Sequence, residues 1–174
     1  MHTVMVIDDN MTELIVAQKA LEGLYRVMIE QNGRHALDYL KKATVMPSLI
    51  LLDIDMPAIN GFEVFSQMVA DTKMKDIPVI FVTGTDDPST ELEAYQLGAV
   101  DFIVKPFVSE ILKRKVNLHI GIVDNKKKLL GQNSSLQDYN EQLQNYNNEL
   151  SSNALIQSQN FQHLEYFIIG IITD

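Results

Sequence analysis

Six side chains in this sequence could share one piece of chemistry: the adjacent acids Asp8 and Asp9, Asp53 with Asp55 two residues on, Thr83, and Lys105 before a proline. Each lies at or just beyond a short run of branched apolar residues. The runs are Thr3–Ile7 for the acid pair, Leu49–Leu52 for Asp53, Val79–Val82 for Thr83 and Phe102–Val104 for Lys105. Converging carboxylates repel one another, which raises their proton affinity unless a cation neutralises them. Hard oxygen donors around a partly hydrated ion are what Mg²⁺ prefers. A hydroxyl and an ammonium beside such acids suit phosphoryl transfer, where catalysis is mostly positioning and neutralisation of negative oxygens.

Whether these groups meet depends on the elements that carry them. With Tyr25–Ile29, the apolar runs make five strand candidates. Between them, segments 11–23, 33–43, 61–70 and 88–97 carry apolar residues at helical spacing, such as the stripe Leu14, Ala17, Leu21 and Leu24. Asn10 with Glu13 has capping-box spacing, Asp87 before Pro88 supplies a cap and a preset first turn, and Gly23 and Gly98 stand where helices should stop. Strands alternating with helices predict a doubly wound α/β fold, a parallel sheet covered on both faces. Ligands in such sheets bind beyond the carboxyl ends of the strands, where all six polar residues would lie.

Each residue also has an ordinary reading. Asp8 and Asp9 suit a helix cap, Lys105 a solvated surface, Thr83 a strand interior, and Phe102 an aromatic packed on a neighbouring helix. Their convergence on one edge favours the shared site.

Taken together, Asp8-Asp9, Leu51-Leu52-Asp53-Ile54-Asp55-Met56-Pro57, Val82-Thr83-Gly84 and Asp101-Phe102-Ile103-Val104-Lys105-Pro106-Phe107 resemble the signature of CheY-like receiver domains of two-component response regulators. The resemblance covers roughly residues 2–122. It implies a five-stranded sheet in the order 2-1-3-4-5 with Asp53 as phosphoacceptor. It also implies Mg²⁺ (or Mn²⁺) held by Asp8, Asp9, Asp53 and the backbone carbonyl of Asp55, with Lys105 beside the phosphate and a cis bond before Pro106. Thr83 and Phe102 would form the switch, and a histidine kinase or phosphotransfer protein would be the donor. Such a module signals without being an enzyme itself. Two departures stand beside these matches: Asp55 places an extra carboxylate near the phosphate, where the family varies, and Val100 replaces an acid often found there.

From about Ser109 one long helical pattern begins. Leu129, Leu136, Leu143 and Leu150 recur every seven residues, with Tyr139 and Tyr146 interleaved, as on a coiled-coil seam. A four-residue step to Ala154 then restores an apolar series through Phe161, Leu164, Ile168 and Ile171, which reads as a stutter. The division expected is a receiver over 1–122 and a helical extension or linker over 123–174, pairing with a second copy and leading towards an output domain. Receivers joined by such a helix commonly precede enzymes that make or degrade cyclic di-nucleotides, and the final residues faintly resemble the lead-in to an HD-type phosphodiesterase domain. A helix folded back on its own domain and a disordered linker are the alternatives, since Asn and Gln dominate from 132 to 160.

Composition narrows the function classes. A net charge of -9 gives no basic footprint for nucleic acid, and Lys126–Lys128 reads as a solvated helix face. Without cysteine there is no disulfide framework, thiolate zinc site or thiol nucleophile. Neither a signal peptide nor a bilayer-spanning apolar run is visible, so a soluble, cytoplasmic protein is expected. Two rivals remain. One is a phosphate-independent interaction scaffold. The other is a haloacid-dehalogenase-like phosphatase using Asp53 and Asp55, against which Pro57 and the upstream acid pair argue.

Overall fold

The computed structural model describes residues 1–84 and 87–172, with side chains as far as residue 157. Two compact units divide the chain, Met1–Asp124 and Asn125–Asp174.

In the first unit, β1 (Thr3–Ile7), β2 (Arg26–Glu30), β3 (Leu49–Asp53), β4 (Val79–Thr83) and β5 (Asp101–Val104) form one parallel sheet in the order β2-β1-β3-β4-β5. Between them run α1 (Met11–Leu21), α2 (Gly33–Lys42), α3 (Gly61–Ala70) and α4 (Pro88–Leu97), and α5 (Ser109–Ile172) follows. The period-two alternation of the strands divides their side chains between two cores. Met5, Ile7, Ile50, Leu52, Val79 and Phe81 pack with α2, α3 and Ala94 of α4. Val4, Val6, Leu49, Leu51, Ile80, Val82 and Ile103 pack with α1 and the first turns of α5. Burial on both faces explains why β3 and β4 read as unbroken apolar runs and are buried at every position. Phe81 anchors one core, meeting the rings of Phe62 and Phe65 edge-on at 4.9 and 5.5 Å.

Local chemistry fixes where the helices begin and end. Asn10 caps α1 by accepting the Thr12 N–H, so the expected box with Glu13 gives way to a bond one residue earlier. The reciprocal box forms instead at α3, where the Asn60 side chain accepts from the Glu63 N–H and the Glu63 carboxylate from the Asn60 N–H. Asp87 and Pro88 open α4 as expected, and Gly98 closes it in the left-handed conformation, φ 101°. Of the predicted stripe on α1, Leu14, Ala17 and Leu21 are buried. Leu24 lies beyond the turn at Gly23 and is exposed. α4 buries only Ala94, fewer residues than its apolar spacing suggested.

The start of α3 presses against the end of β3. Gly61 donates its N–H to the Ile54 carbonyl at 2.9 Å. A Cβ at Gly61 would overlap the carbonyl oxygen of Asp53 and lie 2.9 Å from the Ile54 Cα. Backbone cannot yield as a flexible side chain can. Gly61→Ala is therefore expected to destabilise the fold by about 1–3 kcal/mol, read from the midpoint of urea unfolding. An unchanged midpoint would mean that the β3–α3 junction is not tightly packed.

Candidate functional site

Parallel pairing brings the polar strand ends to one edge. Ile7 pairs with Leu52, which sets Asp8 beside Asp53, and Asp53 itself pairs with Val82, one residue before Thr83. Thr83 pairs with Val104, and its carbonyl accepts the Lys105 N–H at 2.7 Å. The Lys105–Pro106 bond is cis, as the resemblance implied.

Within this edge the acids are unequal. Asp8 and Asp53 are buried and Asp9 is exposed. Carboxylate oxygens of all three lie within 4.8 Å of one another. Asp8 does not cap α1, a role taken by Asn10; its Oδ1 accepts the Asn10 N–H at 2.8 Å and its Oδ2 accepts from Lys105 Nζ at 2.6 Å. Lys105 Nζ also stands 3.1 Å from Asp53 Oδ1, an ion-pair distance. That oxygen is nevertheless buried without a hydrogen-bond partner.

One lysine cannot balance this negative charge. Burial is the main cause pushing the Asp53 carboxyl above its ordinary range, and the charge of Asp8 adds to it. Lys105 and the Asp55 N–H pull the other way without winning. Burial works against the charged form of Lys105, but its hydrogen bond to Asp8 and its ion pair with Asp53 outweigh that and hold its pKa above the ordinary value. A buried carboxylate oxygen that accepts no hydrogen bond and shares its one neighbouring ammonium with Asp8, beside two further acids, fits a hard divalent cation. Gly84 lies at the mouth of the site, where among the described residues a Cβ would come nearest to Asp55 Oδ2, at 3.9 Å.

Residues 4–117 match the sequence family described as the response regulator receiver domain. This chain belongs to that family. A probable cyclic di-GMP phosphodiesterase of Vibrio cholerae is 35% identical over 135 residues, covering 78% of this chain. The receiver chain spans only 30% of that relative's length. Protein PilH of Pseudomonas aeruginosa is 30% identical over 118 residues, covering 67% of this chain and 96% of its own. The solved structure of chemotaxis protein CheY4 of Vibrio cholerae superimposes with a TM-score of 0.62 at 28% identity, over 67% of this chain and 97% of that one. PilH-like and CheY-like receivers are signalling proteins rather than enzymes.

Of the residues expected from sequence, this receiver brings Asp8, Asp9, Asp53 and Lys105 together, with Thr83 buried in the adjacent strand. Phe102 stands apart on β5, half buried, edge-on to Tyr95 of α4. Sequence reasoning passed over Lys115 and His119, which α5 aims at Asp101. Their four-residue spacing on one helical face was the only signal. Among the described residues no helix is long and apolar enough to cross a membrane.

The raised pKa of Asp53 has a signed consequence. An acid whose folded pKa exceeds its unfolded value binds more protons when folded, so its contribution to stability falls as pH rises above about 3.8. Asp53→Asn removes that loss and leaves Asp8 and Lys105 as a balanced pair. In chelator-treated buffer the variant is expected to unfold at higher urea than the native receiver at about pH 7, with the gain shrinking towards about pH 4. A variant no more stable than native at neutral pH would sink this account of the charge.

Proposed function

We propose that this receiver takes a phosphoryl group from the phosphohistidine of a histidine kinase or phosphotransfer protein onto the Asp53 carboxylate. The observation that carries the proposal is the buried Asp53 oxygen with no hydrogen-bond partner, set between Lys105 and two further acids. An Asp53 oxygen attacks phosphorus as the bond from phosphorus to the donor imidazole nitrogen breaks, and the imidazole leaves with that electron pair. Lys105 holds a positive charge against the oxygens of the arriving group.

Asp8, Asp9 and Asp53 would hold Mg²⁺ or Mn²⁺, with the Asp55 backbone carbonyl as a further oxygen donor. When bound, the ion supplies positive charge that offsets the crowded carboxylates and the incoming phosphoryl oxygens. Thr83, in reach of the same edge, would donate its hydroxyl to the phosphoryl group and move inward. Phe102 would follow it, so that a local charge becomes a change on the β5 face. The extra carboxylate of Asp55 would alter the lifetime of the phosphorylated state.

The same proposal divides the chain into a receiver, 1–122, and a helical extension, 123–174, that pairs with a second copy. Leu129, Leu136 and Leu143 are exposed on α5 at seven-residue intervals, as are Tyr139 and Tyr146, which is the pattern that a partner helix covers. The later part of the seam, from Phe161 to Ile171, lies outside the side chains described. An enzymatic output domain of the cyclic di-nucleotide class fits the named relative, whose aligned region is longer than residues 4–117 and so takes in part of the extension. A cytoplasmic setting, where such kinases present their phosphohistidine, completes the proposal.

Incubation with acetyl phosphate and Mg²⁺ is expected to add one phosphoryl group to the native chain and none to Asp53→Asn, as read by intact mass. No adduct, together with no binding of fluoroberyllate, would leave the phosphate-independent scaffold as the better account. Light scattering is expected to give the mass of a dimer. Replacing Leu136 and Leu143 by Asp should raise the dissociation constant at least roughly 1000-fold, since two buried leucines lost at about 2 kcal/mol each cost about 4 kcal/mol. A native chain of monomer mass at high concentration would end the pairing proposal.

A further inference from the structure

Beyond the acid edge, a second set of charged groups surrounds Phe102. Asp101 opens β5 with its side chain mostly buried, and both of its oxygens are engaged. Oδ1 accepts from Lys115 Nζ at 2.5 Å and from the Phe102 N–H at 2.8 Å, and Oδ2 lies 3.1 Å from His119 Nε2. Lys115 does more than pair with the acid. Its Nζ also donates to the Phe102 carbonyl at 3.0 Å and stands 5.7 Å from the centroid of the Phe102 ring, over its face. Tyr95 meets the same ring edge-on, with centroids 6.1 Å apart and planes at 88°.

An ammonium has three donors, and here two go to oxygens on either side of Phe102 while the charge faces its ring. His119, only 10% exposed, keeps Asp101 from turning away. The ring is thus held on its face by Lys115 of α5 and in a T-shaped contact by Tyr95 of α4, a helix that buries only Ala94 and is weakly anchored.

We propose that Lys115 is a positioning residue for Phe102: held by Asp101 and His119, it stabilises the present setting of the ring and opposes the rearrangement that phosphorylation of Asp53 favours. This rests on the phosphoacceptor role of Asp53 and on the Thr83–Phe102 switch proposed above. By linkage, whatever holds the ring in its unphosphorylated setting must also weaken binding at Asp53 of any group that needs the other setting. Loosening the clamp therefore strengthens that binding, although Lys115 does not touch the acid edge. Two ordinary effects differ in outcome. A purely structural role, tying α5 to β5, would lower stability and leave affinity alone. Long-range loss of a positive charge would weaken binding of an anion rather than strengthen it.

The probe is fluoroberyllate with Mg²⁺, titrated into the full chain. Lys115→Met keeps the aliphatic stem and loses the charge, and is expected to lower the dissociation constant roughly 3- to 10-fold, the worth of a partly buried cation over a ring. Lys115→Arg restores a cation and a donor pair for Asp101, and should return the constant to near the native value. His119→Gln loosens Asp101 but leaves the cation, and should act in the same direction by roughly two- to threefold, which keeps the test open if Lys115→Met does not fold. Unchanged or weaker binding in the variants, with the native chain binding normally, overturns the clamp alone. Absence of binding in the native chain overturns the phosphoacceptor role and the clamp with it.

Discussion

Everything at the working edge of this receiver follows from placing more carboxylate than ammonium in a confined space. Asp8 and Asp53 are both buried, Asp9 is beside them, and Lys105 is the cation seated between the first two. Burying unbalanced charge is costly, and the rise in the Asp53 pKa expresses that cost directly. A site that is uncomfortable alone gains most from a cation, because each favourable contact the ion makes also removes a repulsion. The same imbalance steadies the lysine: burial works against its charged form, and the paired acids more than offset that and hold its pKa above the ordinary value.

The sheet exists, from the site's point of view, to hold that imbalance in place. Adjacent parallel strands put Asp53 next to Asp8 on one side and one residue from Thr83 on the other, through register alone. Two apolar cores fix the register, because a slip of one residue would turn every strand side chain to the wrong face. Gly61 adds a local constraint, letting α3 approach the Asp53 carbonyl where a larger residue would push it away.

Most of this was legible beforehand, for physical reasons that can be named. Elements set by hydrophobic period appeared within a residue or two of their predicted bounds: β1 and the helices at 61–70 and 88–97 coincide, and β2 is displaced by one residue to Arg26–Glu30. Asp53 and Thr83 end their strands as expected, one residue past the apolar runs, since ladder pairing extends as far as a neighbour does. Details that depend on competing local bonds were less legible. Asn10 had both Thr12 and Glu13 within reach of its side chain, and spacing alone does not choose between them. The Asp101–Lys115–His119 cluster was not visible because it joins a strand to a helix many residues later, and charged residues on a helix are usually only solvated.

The extension poses a different physical problem. Its helix is long, but among the described side chains it is rich in Asn and Gln, with a stripe of Leu and Tyr exposed on one face. Isolated helices draw little stability from propensity alone, and Asn is a poor helix former. A helix of this composition therefore needs its apolar stripe covered. The stripe repeats every seven residues rather than at the wider spacing of a helix packed on a globular core, and that narrow seam matches another helix better than a sheet face. In the pairing proposed above, a polar coat with a thin apolar seam would keep the association reversible. In a signalling module, a change of only a few kcal/mol in such an association would be enough to shift a population.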